Sequence, residues 1–282
     1  MSEAPFRVEI EDQVATVTLS RPDYSNSLTG EFWDQFPIAL EKTWDASAVR
    51  AIVLAGDGKH FCSGIDTAFI SKMVVPPAAE AGRQRVRVFI IGRKMQAVIT
   101  SIANTPVPVI AAAQGACLGA GLDLFTACDL RYCTADAFFA IQEIQVGVAD
   151  DIGALQRLPR LIPDGIAREM AFTGRKLTAD RAKAFGLVSE VFETTEAMQL
   201  AVAKVAKEIA AKSPLAVWGS KQMLNYNYGH TTDDALHHAI MCGAAIFQPD
   251  DVLTSIDAMT QRQQPVYDDL IARPKSFADI GR

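Results

Sequence analysis

A glycine-rich turn between two apolar segments constrains the fold of this chain more than any other feature of the sequence. Residues 107–113 form a short apolar run typical of a buried strand, and the apolar stretch that ends at Cys128 has helical character. Between them lies Gly115–Gly121, in which three of the seven residues are glycine. A strand that enters a helix through such a turn predicts an α/β unit in which strand and helix pack closely.

Further strands and helices alternate around this unit. Residues 6–10 and 14–19 alternate apolar and polar side chains and predict a β-hairpin, whereas residues 51–55 form another buried strand. Thr29 caps a predicted helix that reaches Trp44, with a kink at Pro37. Beyond residue 152 helices dominate, which predicts an α/β core followed by a helical extension. We place those later helices at 162–173, 179–185, 195–212, 215–226, 231–247 and 250–261.

The composition excludes several classes of protein. Hydrophobic residues make up 49% of the 282 positions, too many for a disordered chain, and the formal net charge of −6 argues against nucleic acid as a partner. No apolar stretch is long enough for a bilayer, so we expect no membrane association. The chain shows neither a transit peptide nor a peroxisomal signal, and we therefore expect a cytoplasmic protein of bacterial type.

The cysteines and histidines show no metal-binding pattern. Five cysteines and four histidines are scattered along the chain without a CxxC spacing or a Cys/His cluster. We expect buried, reduced thiols and no metal site.

Two loops follow buried strands and can present backbone N–H groups. One is the turn Gly115–Gly121, and the other is the loop His60–Asp66. If the loops face one another, two N–H groups can bind a single carbonyl oxygen as negative charge develops on it. Taken alone, the glycine-rich turn is at least as consistent with close packing between a strand and a helix, and the residues of the second loop favour an ordinary connecting loop.

Three acidic residues stand among apolar neighbours, where burial raises the pKa of a carboxyl group toward the range useful for acid–base catalysis. They are Asp123, Glu143 and Asp151. The alternative is that each caps a helix or pairs with an arginine, and Asp151 is a candidate N-cap for a helix that begins near Ala154. Three acids close behind the glycine-rich turn make a catalytic role competitive with that alternative.

Several motifs, in order and spacing, resemble the crotonase (enoyl-CoA hydratase/isomerase) superfamily. They cover residues 6–261 and comprise Arg21-Pro22, Asn26-Ser27-Leu28, the loop Phe61–Asp66, Gly115 to Leu124, Ala127-Cys128-Asp129, Gln156-Arg157-Leu158-Pro159 and Phe172 to Val188. The resemblance implies a crotonase-like spiral of ββα units over residues 1–205. It implies that helices within residues 206–282 build a homotrimer or a dimer of trimers. It also implies an acyl-CoA thioester as substrate, with CoA as part of the substrate and no separate cofactor.

The resemblance also assigns roles to residues of the two loops. The backbone N–H groups of Cys62 and Ala120 would form the oxyanion hole, although the family usually has glycine at the second position. The remaining loop residues would line the substrate site. They are Ser63, Gly64, Ile65, Asp66 and Gly121. The segment from Met73 to Ala81 and the basic stretch after it would shape the entrance.

The acids indicate a branch of the family. Hydratases carry glutamates at the positions of Asp123 and Glu143 and a glycine at that of Asp151, whereas the dienoyl-CoA isomerase branch carries Asp, Glu and Asp. The resemblance therefore implies conversion of 3,5-dienoyl-CoA to 2,4-dienoyl-CoA, in fatty-acid β-oxidation. Enoyl-CoA hydration is the alternative, and a non-catalytic acyl-CoA-binding protein is a third. Two residues depart from the branch pattern: Ala120, and the additional acid Asp150.

Overall fold

Two β-sheets surrounded by helices make up the described part of the chain, which comprises residues 4–45, 48–73 and 81–271 of the computed structural model. The strands of these residues are β1 (Phe6–Glu11), β2 (Val14–Leu19), β3 (Ala51–Gly56), β4 (Val109–Ala113), β5 (Ala116–Leu118), β6 (Leu130–Thr134), β7 (Phe138–Ala140), β8 (Leu177–Thr178) and β9 (Glu190–Phe192). The helices are α1 (Gly30–Asp45), α2 (Thr67–Met73), α3 (Ala81–Ala103), α4 (Ala120–Ala127), α5 (Ala154–Leu161), α6 (Asp164–Thr173), α7 (Ala179–Phe185), α8 (Thr195–Ala210), α9 (Pro214–Tyr226), α10 (Thr232–Ile246) and α11 (Pro249–Gln261).

The larger sheet has the strand order β1-β2-β3-β4-β6-β9. Its first pair is antiparallel, which confirms the predicted hairpin, and every later pair is parallel. Strands β3 and β4 are buried along their whole length, and for this reason their sequences are continuous apolar runs. The smaller sheet, in the order β5-β7-β8, begins within the glycine-rich turn.

Apolar side chains cover both faces of the larger sheet. On one face α1, α3 and α4 contribute to the main core, with Phe32, Phe36 and Phe125 among its largest buried side chains. On the other face Met198 and Val202 of α8 pack with buried residues of β3, β4 and β6. The predicted α/β class, with helices prevailing toward the C-terminus, is confirmed.

The structure agrees with the predicted first helix and departs from the prediction at a later one. Helix α1 runs through Pro37 to Asp45, close to the predicted end at Trp44. Helix α5 is missing from the predicted helices and entered the sequence analysis only through the possible N-cap at Asp151, because it is short and contains Pro159, a residue that favours helix ends. The predicted boundary after residue 205 lies inside α8, and the division of the chain at that point stays a prediction. Most of the predicted entrance segment, residues 74–80, lies outside the described residues.

The two loops that follow β3 and β4 are joined by backbone hydrogen bonds. The Phe61 N–H donates to the Gln114 oxygen at 2.8 Å, and the Cys62 N–H donates to the Ala116 oxygen at 3.0 Å. In return the Leu118 N–H donates to the Cys62 oxygen at 2.9 Å. The loop after β3 and the turn into α4 are therefore held in one fixed relation. None of the helices in the described ranges is both long and apolar enough to cross a membrane.

Gly121 makes a close packing contact between these loops, and its replacement by alanine tests how tightly the loops pack. A Cβ atom at Gly121 would lie 2.7 Å from both the Cβ and the backbone oxygen of Cys62. We expect Gly121→Ala to lower the free energy of unfolding by about 1–3 kcal/mol, the range for overpacked cores. Urea unfolding, followed by circular dichroism, measures the change.

Gly165→Ala in α6 is the matched control. A Cβ atom there has no heavy atom within 4 Å. We expect this variant to be as stable as the wild type or to gain up to about 1 kcal/mol from helix propensity. Equal losses in the two variants would contradict the close contact at Gly121.

Candidate active site

The loop after β3 brings one unpaired backbone N–H group to the start of α4. The N–H groups of Cys62 and Ser63 donate to the backbone oxygens of Ala116 and Ser25, and the N–H of Gly64 lies 3.5 Å from the Cys62 sulfur. Within the residues that the structure describes, the Ile65 N–H has no hydrogen-bond acceptor. Within residues 61–66 the free donor is therefore the Ile65 N–H.

This arrangement corrects the assignment of Cys62 as an oxyanion-hole donor. Its N–H is occupied by the backbone pairing that joins the two loops, and a peptide N–H has a single proton to donate. The sequence placed Ile65 only among the substrate-lining residues. The sequence could not distinguish Cys62 from Ile65 as the donor, because the burial of Cys62 and its pairing with β5 arise only in the folded chain.

The second predicted donor, Ala120, is the first residue of α4. Among the described residues its N–H also has no acceptor, as is usual for the first turn of a helix. A Cβ atom on Gly64 would lie 3.7 Å from the Ala120 nitrogen, so the peptide that precedes Ile65 reaches the helix terminus. The two unpaired N–H groups therefore lie on adjoining segments of backbone.

Glu143 lies beside the same helix terminus, in a 3-10 helix of residues 143–146. A Cβ atom on Gly119 would lie 2.6 Å from Glu143 Oε1, and Gly119 has a positive φ of 51°, so glycine is required there on both counts. Burial raises the pKa of Glu143 to about 7, with the nearby charges of Asp150 and Asp151 contributing in the same direction. Such a carboxyl group exchanges protons near neutral pH.

Asp123, one turn into α4, is completely buried. Its Oδ1 accepts the Ala154 N–H at 2.5 Å and thereby caps the start of α5, while Oδ2 has no partner among the described residues. Burial raises its pKa well above the ordinary value, and the charges of Asp150 and Glu143 add to the effect. Asp123 therefore does cap a helix, which was the structural alternative to a catalytic role. It does so within the candidate catalytic site.

The adjacent acids Asp150 and Asp151 have opposite environments. Asp150 is 5% exposed, and its Oδ1 accepts the Ile152 N–H at 3.0 Å. Asp151 is exposed, and its backbone oxygen accepts a hydrogen bond from Gln96 of α3. The proposed N-cap role of Asp151 is wrong, because Gly153 occupies the N-cap of α5 and makes no side-chain cap.

Arg157 of α5 places a positive charge next to these acids. Its Nη2 lies 3.3 Å from Thr100 Oγ1, and its Nη1 is buried without a partner among the described residues. Burial lowers its pKa, whereas the charges of Asp123 and Asp150 raise it. The sequence marked Arg157 only as part of a motif, since the chain fold is what brings α5 against Asp123.

The other predicted substrate-lining residues have structural contacts. Asp66 accepts hydrogen bonds from Arg21, Ser27 and the first N–H groups of α2, so its carboxylate is already saturated. Gly64 and Gly121 lie at the contacts between the two loops described above. Asp66, Gly64 and Gly121 therefore shape the loops.

An apolar cavity of about 1000 Å³ lies between α1, α2 and α3. Its walls include Trp33, Phe69, Met73, Ile91 and Met95. Helix α3 connects it with the acids, because Gln96, the residue after Met95, is hydrogen bonded to Asp151. In the described part of the chain no group of three or more Cys, His, Asp and Glu side chains could hold a metal ion.

Comparison with known proteins gives consistent matches over most of the chain. Residues 9–270 match the family model described as enoyl-CoA hydratase/isomerase. The chain is 39% identical over 252 residues to the mitochondrial Delta(3,5)-Delta(2,4)-dienoyl-CoA isomerase of Mus musculus, covering 89% of this chain and 77% of that protein. It is 37% identical over 262 residues to the peroxisomal isomerase of the same name from Arabidopsis thaliana, covering 92% and 94%. The crystal structure of an enoyl-CoA hydratase from Mycobacterium smegmatis superposes with a TM-score of 0.83 at 29% identity, covering 94% of this chain and 99% of that one.

These matches correct the expected location. A bacterial, cytoplasmic protein was expected because no targeting signal was recognised in the sequence. The two isomerase relatives are named as mitochondrial and peroxisomal proteins and so point to an organelle instead. The expectation of a cytoplasmic location is therefore wrong.

The raised pKa of Glu143 predicts a stability that falls with rising pH. Between the ordinary value of 4.5 and the folded value of about 7, the folded protein keeps a proton that the unfolded chain has released. The stability that protonated Glu143 contributes is therefore fully present below pH 4.5 and is lost as the pH rises through 7. We expect Glu143→Gln, which stays neutral, to exceed the wild type at pH 8 by roughly 3 kcal/mol and to match it at pH 4.

Urea unfolding at the two pH values measures this difference, and Glu169→Gln is the matched control. Hydrogen bonds from Arg175 and Arg181 lower the pKa of Glu169, so its neutral replacement should bring no gain at pH 8. If Glu143→Gln and the wild type unfold alike at pH 8, the inferred state of Glu143 is incorrect.

Proposed function

The chain belongs to the enoyl-CoA hydratase/isomerase family, and on that basis we propose that it converts 3,5-dienoyl-CoA to 2,4-dienoyl-CoA. Membership confirms the resemblance found in the sequence and the spiral α/β fold that it implied. The family acts on acyl-CoA thioesters, and the chain is an enzyme of that kind.

The pattern of acids supports isomerisation over hydration. The chain has Asp123, Glu143 and Asp151 where the isomerase branch has Asp, Glu and Asp, and its identity to the named isomerases, 37–39%, exceeds the 29% to the hydratase structure. An aspartate at position 123 is also shorter than the glutamate with which hydratases hold a water molecule. Its Oδ1 is engaged with the start of α5.

The observation that carries the proposal is the grouping of two unpaired N–H groups with a carboxyl group of raised pKa. The N–H groups of Ile65 and Ala120 would bind the thioester oxygen. Glu143, in the 3-10 helix of residues 143–146, lies against Gly119, the residue before Ala120. Negative charge accumulates on that oxygen when a proton leaves the neighbouring carbon. In other enzymes one such donor lowers the barrier by about 2.7–4 kcal/mol.

The proton transfers follow from the positions of the double bonds. Glu143 would remove a proton from C2, and the electron pair of that bond would enter a conjugated enolate that extends to C6. Asp151 would deliver a proton to C6, which leaves double bonds at C2 and C4 and restores the thioester carbonyl. Asp123 would position the pair, because it holds the turn that carries Asp151 at the start of α5.

The remaining features of the site fit a lipid thioester. The apolar cavity beside α3 would receive the acyl chain, since Trp33, Phe69 and Ile91 present hydrocarbon surface. We propose no cofactor: CoA enters as part of the substrate, and the proposed steps are proton transfers only.

A paired assay with acid variants tests the proposed reaction. We expect the purified protein to form the conjugated 2,4-dienoyl thioester from 3,5-dienoyl-CoA much faster than it hydrates 2-enoyl-CoA, as followed by ultraviolet absorbance. Asp151→Asn and Glu143→Gln should each lower kcat by roughly 10²–10⁴-fold, the usual contribution of a positioned acid or base.

Asp136→Asn is the control, because Asp136 lies after β6 and bonds only to Thr134 among the side chains described. It should retain wild-type isomerisation. Wild-type rates in Asp151→Asn, or faster hydration than isomerisation, would contradict the proposal.

We also propose that the chain forms a homotrimer, alone or as a dimer of trimers. The C-terminal helices α10 and α11 leave many large apolar side chains exposed, which a further protein surface would cover. They are Leu236, Ile240, Met241, Leu253, Ile256 and Met259.

Light scattering coupled to size exclusion tests this assembly. We expect a mass three or six times that of the 30.5 kDa chain. Ile240→Asp should reduce it by placing a charge on the exposed apolar surface, whereas Leu200→Asp on α8, also exposed, should leave it unchanged. A monomeric wild-type protein would rule out the trimer.

A further inference from the structure

The additional acid Asp150 occupies the interior of the candidate site. It is 5% exposed, although it directly precedes the exposed Asp151. Its Oδ1 accepts the Ile152 N–H at 3.0 Å, which fixes the carboxylate on the inner side of the turn. Removing a carboxylate this far from water costs free energy, which its hydrogen bonds from backbone N–H groups of the turn offset only in part.

The turn that carries Asp150 is tied to both neighbouring acids. The Val148 N–H donates to the backbone oxygen of Glu143 at 3.2 Å, which closes the loop between Glu143 and Asp150. On the other side, the Ala154 N–H donates to Asp123 Oδ1 at 2.5 Å. Asp150 therefore lies on a short segment anchored at one end to Glu143 and at the other to Asp123.

We propose that Asp150 is a positioning residue of the active site, whose buried carboxylate acts on Glu143 from the turn that is anchored to both Glu143 and Asp123. The inference rests on the proposed function, in which Glu143 removes a proton from the substrate. Asp150 acts through Glu143 and need not touch the reacting carbons. It also explains why this chain has a second acid where the branch pattern has one.

The electrostatics of the site agree with this role. The charge of Asp150 raises the pKa of Glu143, after the larger effect of burial, and it is also the first charge that raises the pKa of Asp123. Arg157 faces Asp123 and Asp150 from α5 and is the counter-charge of the cluster.

Other titratable groups surround Glu143 and must be considered in any pH profile. On α6, which packs against residues 143–146, Glu169 is bound to Arg175 and Arg181, and on the loop after β3, Asp66 is bound to Arg21. Burial raises the pKa values of the nearby thiols and keeps them neutral. The charged groups that act on Glu143 and Asp123 are Asp150 and Asp151 on the turn and Arg157 on α5.

Removal of the charge at position 150 should therefore make Glu143 release its proton at lower pH. Asparagine is the informative replacement, because its Oδ1 can still accept the Ile152 N–H and keep the turn in place. Asp150→Glu retains the charge and is the conservative control.

The first experiment records kcat/KM for 3,5-dienoyl-CoA against pH in the wild type and both variants. With a Glu143 pKa of about 7, the wild type should keep about a tenth of its plateau value at pH 6. Asp150→Asn should keep a clearly larger fraction at pH 6 while its plateau falls, because a less basic carboxylate removes protons more slowly. Asp150→Glu should restore the wild-type midpoint. The proposal would be overturned if kcat/KM falls to half of its plateau value at the same pH in Asp150→Asn and in the wild type.

A second readout does not depend on the isomerase assay. Difference infrared spectroscopy of the substrate-free protein follows the carboxylic acid band of Glu143, identified by its loss in Glu143→Gln. We expect the band to titrate at lower pH in Asp150→Asn than in the wild type. An unshifted band would reject the role of Asp150, whereas a shifted band in a protein without isomerase activity would reject only the proposed reaction.

Discussion

The backbone pairing between the loop after β3 and the strand β5 is the constraint on which the rest of the site depends. Hydrogen bonds through Phe61, Cys62 and Leu118 join two segments that are more than fifty residues apart in the chain. Because Cys62 is used for this pairing, the next unpaired N–H falls at Ile65 and meets the free terminus of α4 at Ala120. The same pairing leaves no space for a side chain at Gly121.

A single turn, residues 150–154, links the acids to the helices behind them. Its N–H groups bind the carboxylates of Asp150 and Asp123, while the carboxylate of Asp151 stays accessible. Burying several carboxyl groups beside one arginine, Arg157, lowers stability at neutral pH. Such a cost is typical of active sites, where groups are held in protonation states that they would not adopt in water.

Much of the fold could be read from the sequence because its signals are local. The alternation of β1 and β2, the continuous apolar runs of β3 and β4 and the caps of the later helices all depend on neighbouring residues. Helix α5 was missed because Pro159 argues locally against a helix, whereas its start is capped by Asp123, thirty-one residues earlier. The exposure of Asp151 and the burial of Asp150 likewise depend on the turn that separates them.

The sequence by itself determined the α/β class, the family and the acids Asp123, Glu143 and Asp151 as candidates, because residue types in fixed order and spacing are properties of the chain. Only the tertiary structure decided that Ile65 rather than Cys62 has the free N–H, and that Asp150 is buried whereas Asp151 is exposed. The physical reason is that hydrogen-bond occupancy and burial depend on partners distant in the chain. These partners, Ala116 for Cys62 and α5 for Asp123, become neighbours only when the sheet and its helices have packed.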